Sequence, residues 1–187
     1  MFVGEITILY QMTSNDLLQQ VDDTAATLLK TISTFNESQL NSIPYEGGWT
    51  AGQVADHLFK ATQVSMLYQN TALTNRPPGE KIEMIRAIFL DFTTKFISPD
   101  FILPSSDDQE KEEVLKHLRG AWINLHEAVQ TLDLSNLCLE PELPVFGQLT
   151  RLEWIHFILA HTQRHIHQLN KIQQALQQQP SQKRSSI

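Results

Sequence analysis

Four of the seven histidines in this 187-residue chain fall in one stretch, between Leu149 and Leu169. Within it Trp154, Ile158, His161, His165, Leu169 and Ile172 follow at steps of four, three, four, four and three. That is the stripe by which an amphipathic helix faces a core. Two of its steps are imidazoles where the pattern expects aliphatic side chains, and burying a polar group without a partner costs on the order of 1–3 kcal/mol. Residues one turn apart share a side of the helix with Cβ atoms ~6 Å apart. Neutral rings placed so can hold one metal ion at ~2.0–2.1 Å from each nitrogen. Two ligands seldom suffice. The best third is His57, on the inward stripe of a second helix with Val54, Ala61 and Val64.

The remaining polar candidates sort by angle at ~100° per residue. His156 and His167 fall opposite the His161–His165 stripe and are expected in solvent, as is His117. His126 sits at the edge of its own stripe, open to being a fourth ligand, a partner behind the ligands or a boundary residue. Asp56 is turned ~100° from His57 and reads as a solvated or capping contact, while Glu153 is ~80° from His161 and two turns away. Gln168 faces the same side as His161 but is expected too far along the helix to ligate. No carboxylate on the two ligand helices stands where a general base would. Trp49, Trp122 and Trp154 read as core anchors, and Tyr68, on the His57 stripe, lies ~16 Å along the axis. The histidine pair lacks the glutamate of the HExxH zinc motif.

Four amphipathic segments must position these residues. The first starts at Ser14 or Asn15 and carries Leu18, Val21, Ala25, Leu28, Ile32 and Phe35 on one face, followed by a short helical turn at Ser38-Gln39-Leu40. The second is opened by a capping box, Thr50 with Gln53, presents Val54, His57, Leu58, Ala61, Val64 and Tyr68, and stops at Asn75–Gly79. Residues 81–96 are weakly helical, and 97–106, with Pro99 and Pro104, form an irregular linker placed to cover one end of a pocket. The third helix starts at Ser106, Asp107 or Asp108, with acidic residues favoured by the helix dipole, and carries Leu115, Leu118, Trp122, Leu125, Val129 and Leu132. Asp133–Gln148, with Pro141, Pro144 and Gly147, reads as a loop. A second capping box, Thr150 with Glu153, opens the fourth helix. With almost no strand signal, the fold class is all-α, a four-helix bundle whose second and third helices are far enough apart for a long crossover. Residues 1–13 form an N-terminal extension, 14–174 the bundle and 175–187 a flexible polar tail.

Bulk properties narrow the function. A net charge of −7 is not that of a nucleic-acid binder. The single cysteine, Cys138, rules out an intrachain disulfide and a cysteine-based zinc site. No apolar run approaches the ~20 residues of a membrane helix, and the first twelve residues do not read as a signal peptide. A cytoplasmic location, without membrane or nucleic-acid partners, is expected.

Trp49-Thr50-Ala51-Gly52-Gln53-Val54-Ala55-Asp56-His57 resembles the W-S/T…H element of the DinB/YfiT-like family, and Phe146 to Trp154 followed by His161-Thr162-Gln163-Arg164-His165-Ile166-His167-Gln168 is similar to that family's closing helix. The order and spacing match from about Asn15 to Ile172. The resemblance implies a four-helix bundle holding a divalent metal, nickel or zinc, through three histidines that map onto His57, His161 and His165. It also implies homodimers and, in some branches, reactions of low-molecular-weight thiols. Three neutral imidazoles leave an ion its full charge and an open position, which makes it a Lewis acid able to generate a nucleophile near neutral pH. The expectation is a metal-dependent enzyme of hydrolase or thiol S-transferase type acting on a small molecule. The alternative is a non-catalytic stress-response or interaction bundle with a structural metal or none.

Overall fold

The computed structural model describes residues 14–178. The proposed N-terminal extension, 1–13, therefore lies outside the described residues, as does most of the proposed tail. Its first part does not: the last helix continues through Gln178, so residues 175–178 are helical rather than tail.

Helix α1 (Ser14–Ser33) buries Leu17, Val21, Thr24, Leu28 and Ile32. Leu17 and Thr24 stand where Leu18 and Ala25 were expected, because the buried face is turned by one residue at these two steps. The expected short turn is α2 (Glu37–Leu40), opened by Asn36, whose side chain and that of Gln39 cap each other's backbone N–H. Helix α3 (Ala51–Ala61) has the expected capping box, Gln53 N–H donating to Thr50 Oγ1 at 3.1 Å and Thr50 N–H to Gln53 Oε1 at 3.0 Å. It ends earlier than expected, at Ala61, where the Thr62 hydroxyl and N–H both donate to Leu58 O. A separate turn, α4 (Ser65–Tyr68), follows, and Tyr68 is half exposed rather than on the His57 face.

The crossover holds a short strand β1 (Thr71–Ala72), helix α5 (Ile82–Phe89) and a 3-10 turn at Asp100–Ile102. Helix α6 (Lys111–Thr131) begins later than the acidic run suggested. Asn41 bridges both backbone groups of Gln109, accepting its N–H at 2.8 Å and donating to its carbonyl at 2.9 Å, which holds that residue outside the helix. The α6 stripe is buried as expected from Leu115 to Val129. Helix α7 (Arg151–Gln178) spans 28 residues, or ~42 Å.

The all-α expectation fails at Asp133–Gln148. Strands β2 (Leu137–Leu143) and β3 (Gly147–Thr150) form an antiparallel hairpin, and β1 adds to β2, giving the order β1-β2-β3. Pro144 and Gly147 mark its turn, where Val145 and Gly147 have φ of 74° and 64°, a region that favours glycine, whereas Pro141 lies within β2. Thr150 pairs with Leu137 and Leu149 with Cys138, after which β3 runs directly into α7. The sheet therefore fixes where the histidine-bearing helix starts. Carbonyls of the closing hairpin are also occupied: Lys81 Nζ donates to Phe146 O and Gln148 O, and Arg76 to Gln148 O.

Four long helices surround one core. Helix α1 packs against α6 and α7, and α3 packs against the same pair. The first two long helices thus sit at opposite corners, an arrangement the long crossover permits and a simple up-down-up-down bundle does not. Helix α5 covers a further side of α7. No helix is long and apolar enough to cross a membrane among the described residues.

Candidate metal centre

His57 lies two turns inside the capped start of α3, and His161 and His165 lie one turn apart on α7, where the two helices pack together. The three rings meet through their Nε2 atoms. His161 Nε2 is 3.2 Å from His57 Nε2 and 3.1 Å from His165 Nε2, and one ligand atom from each residue falls within a 4.8 Å group. Nitrogens bound tetrahedrally at ~2.0–2.1 Å from one ion stand ~3.3 Å from each other, close to the two short separations here.

The outer nitrogens show which lone pairs are free. His57 Nδ1 is 2.8 Å from the carbonyl oxygen of Ile102, which only accepts, so the ring proton sits on Nδ1 and Nε2 is unprotonated. His165 Nδ1 donates in the same way to Gln168 Oε1 at 2.7 Å. Two lone pairs therefore converge on His161, which can give a proton to only one of them. An apolar or hydrogen-bonded histidine cluster has no use for that surplus; a cation does. Burial holds all three rings neutral at ordinary pH. It lowers the His57 pKa against the opposing Ile102 carbonyl, pushes His161 well below its usual value with the help of His165 and His57, and brings His165 to about 3.

The walls are aromatic. Trp49 leans on His57 with ring centroids 5.1 Å apart, so it is more than the core anchor expected, whereas Trp122 and Trp154 are buried as anchors. Phe157 stacks on His161 at 5.4 Å, and Phe89 approaches it edge-on at 6.1 Å. The linker 97–106 does cover the α3 side of the site. Gln53, Asp56, His57 and Lys60, one face of α3, bind its backbone at Ser105 O, Ser105 N–H, Ile102 O and Leu103 O respectively. Asp56 is thus a capping contact, also paired with Lys60 at 2.9 Å.

The other candidates lie elsewhere. His126 is 3.7 Å from Asp22 on the surface and is not a ligand. His117 faces outward, its ring stacked on Phe59. His167 is half-buried, stacked on Phe92 at 4.3 Å. His156 contradicts the sequence reading outright: it is 2% exposed, and neither ring nitrogen has a hydrogen-bond partner among the described residues. Helix α7 is enclosed by α1, α3 and α5, so its first half has no wet face for His156 to occupy. Glu153 is fully buried and cannot serve as a base, because Arg76 holds both its oxygens at 2.6 Å and the Thr150 and Lys81 N–H groups donate to it. Burial raises its pKa, but those four donors outweigh it and the net shift is downward. The expected Thr150–Glu153 capping box is formed within this network.

Sequence reasoning missed Arg76, 77 positions from Glu153, for which no local pattern exists. It also missed the hold of Gln168 on His165, which the three-residue spacing would have revealed. Arg164 donates to the carbonyls of Phe89, Asp91 and Thr94 and lies 4.7 Å over Phe96, tying the segment after α5 to α7. A surface depression between α1 and α7, at Lys30 and Gln173, touches none of the three histidines.

A mostly helical chain with a three-histidine centre between two bundle helices defines a class of candidate metalloproteins. Residues 20–169 match the family model of the DinB superfamily, and the chain belongs to that superfamily. The uncharacterized protein YuaE of Bacillus subtilis (strain 168) is 25% identical over 142 residues, covering 76% of this chain and 88% of YuaE. Among solved structures, YfiT from Bacillus subtilis, described as a probable metal-dependent hydrolase with an unusual four-helix bundle topology, superposes with a TM-score of 0.58. The alignment covers 94% of this chain and 95% of YfiT at 16% identity, a likeness of fold.

Proposed function

We propose that the chain is a divalent-metal-dependent hydrolase of small molecules, with His57, His161 and His165 as the metal ligands. The observation that carries this is the convergence of three Nε2 atoms while two of the Nδ1 atoms are already committed to acceptors. A divalent ion held there supplies Lewis acidity, because neutral ligands leave its charge uncompensated. His57 and His165 present lone pairs in fixed tautomers, and Trp49, Phe89 and Phe157 keep water from the flanks of the rings. The description of YfiT as a probable metal-dependent hydrolase supports the same reading for this superfamily member.

A purely structural metal is the weaker reading. Structural zinc sites are usually closed by four protein ligands, and among the described residues the group contains three, with His126 engaged elsewhere. Thiol transfer is also disfavoured against hydrolysis for a thiol bearing a carboxylate. The cations nearest the ligands, Arg164 and Lys60, are spent on backbone carbonyls and on Asp56. Zinc and nickel both suit imidazole ligands. The test is metal analysis of the wild type and of His57→Ala, His161→Ala and His165→Ala, followed by a screen of esters, amides and phosphoesters with the ion present or chelated. One equivalent of metal lost in each variant, with hydrolysis dependent on the ion, is expected. Equal metal content in wild type and variants would sink the proposal.

A further inference from the structure

Each imidazole that offers Nε2 to an ion must carry its single proton on Nδ1, and something must hold that proton there. For His57 the acceptor is the Ile102 carbonyl, part of the main chain. For His165 it is a side chain, the carboxamide oxygen of Gln168, at 2.7 Å. Gln168 is three residues on from His165, so the helix itself carries the acceptor to the same face. Without it, His165 Nδ1 has no other hydrogen-bond partner among the described residues, and the proton is free to occupy Nε2, where the ion must sit. We propose that Gln168 is the positioning residue of the metal centre, fixing the tautomer and ring angle of His165. The proposal rests on the three-histidine reading and adds a residue that does not touch the ion.

The choice of an amide has a chemical consequence. A carboxylate behind a metal-bound imidazole makes the ring more basic and adds negative charge. Gln168 supplies the same hydrogen bond while adding none, so the centre keeps the full positive charge of its ion. A glutamate at 168 should therefore bind metal at least as firmly. Leucine, similar in size but unable to accept, should not.

The test uses the full chain, stripped of metal, as wild type, Gln168→Leu and Gln168→Glu. Ring nitrogen-15 chemical shifts report the His165 tautomer without any ion, and competition with a chromophoric chelator reports zinc affinity. The wild type should show His165 protonated at Nδ1. The leucine variant should lose that signature and bind zinc about 10–100-fold more weakly, and the glutamate variant should recover both. An unchanged tautomer or unchanged zinc affinity in the leucine variant would overturn the proposal, and so would an equal loss in both variants, which would mean packing alone. Failure of the metal reading is separately visible: zinc bound equally by wild type and His161→Ala would refute the ligand set, while the metal-free tautomer would still decide the role of Gln168.

Discussion

Replacing His156 by leucine should make the protein more resistant to acid, and the size of the effect follows from where that ring is. His156 is 2% exposed with neither nitrogen hydrogen-bonded among the described residues, and burial lowers its pKa from 6.5 to about 4, with Arg86 adding to the shift. Above its ordinary pKa both folded and unfolded chains hold it neutral, and it contributes no pH dependence. As pH falls below that value the unfolded chain takes up a proton that the folded chain refuses, so stability declines by ~1.4 kcal/mol per pH unit until the folded pKa is reached. Between about pH 7.5 and about pH 5 the loss is ~2 kcal/mol, and it saturates near ~3 kcal/mol at lower pH. His156→Leu removes this term and also two unsatisfied buried nitrogens, a liability of ~1–3 kcal/mol. Urea unfolding of chelator-treated wild type and variant, at both pH values, measures it. His57, His161 and His165 are present in both proteins, and their contributions cancel in the difference. Parallel loss of stability in the two proteins would refute a buried, neutral His156.

Other outcomes follow from the same geometry. Zinc at about a hundred times its dissociation constant should stabilise the wild type by ~2.7 kcal/mol, raising Tm by roughly 5–10 °C in thermal denaturation, and His161→Ala should show no rise. Arg76→Met strands the buried Glu153 carboxylate and should cost ~3–5 kcal/mol in urea; a cost below ~1 kcal/mol would contradict the ion pair. Trp49 lies 5.1 Å from His57, so nickel titration should quench tryptophan fluorescence, and Trp49→Phe should abolish most of the change. Equal quenching in that variant would place the metal away from His57.

The meeting of His57, His161 and His165 was legible because its signal is local: imidazoles at core steps of two helices whose Thr-led caps are also written in sequence. Sorting residues by helix angle works when a helix has one wet face, and α6 obeys it. Helix α7 does not, because α5 arrives from the crossover to cover the side where His156 was expected to meet water. The hairpin at 137–150 was hidden for a different reason. Pro141, Pro144 and Gly147 read as turn formers, although Pro141 lies within β2 and Gly147 begins β3, and the pairing is irregular between Cys138 and Leu143. Helix ends moved where distant side chains intervened, as Asn41 does at Gln109. Contacts such as Arg76 with Glu153 join residues with no periodic relation, and only the folded chain brings them together.

The face of α3 that grips residues 102–105 recognises main chain only: two carbonyls, then a carbonyl and an N–H of Ser105. None of those four bonds uses a side chain of the segment, and Phe101 and Leu103 stand 72% and 42% exposed. Path and chemistry are thus separated. Substitutions at 101 and 103 should therefore leave the segment in place and His57 aligned, because the four α3 side chains that hold it grip only its main chain.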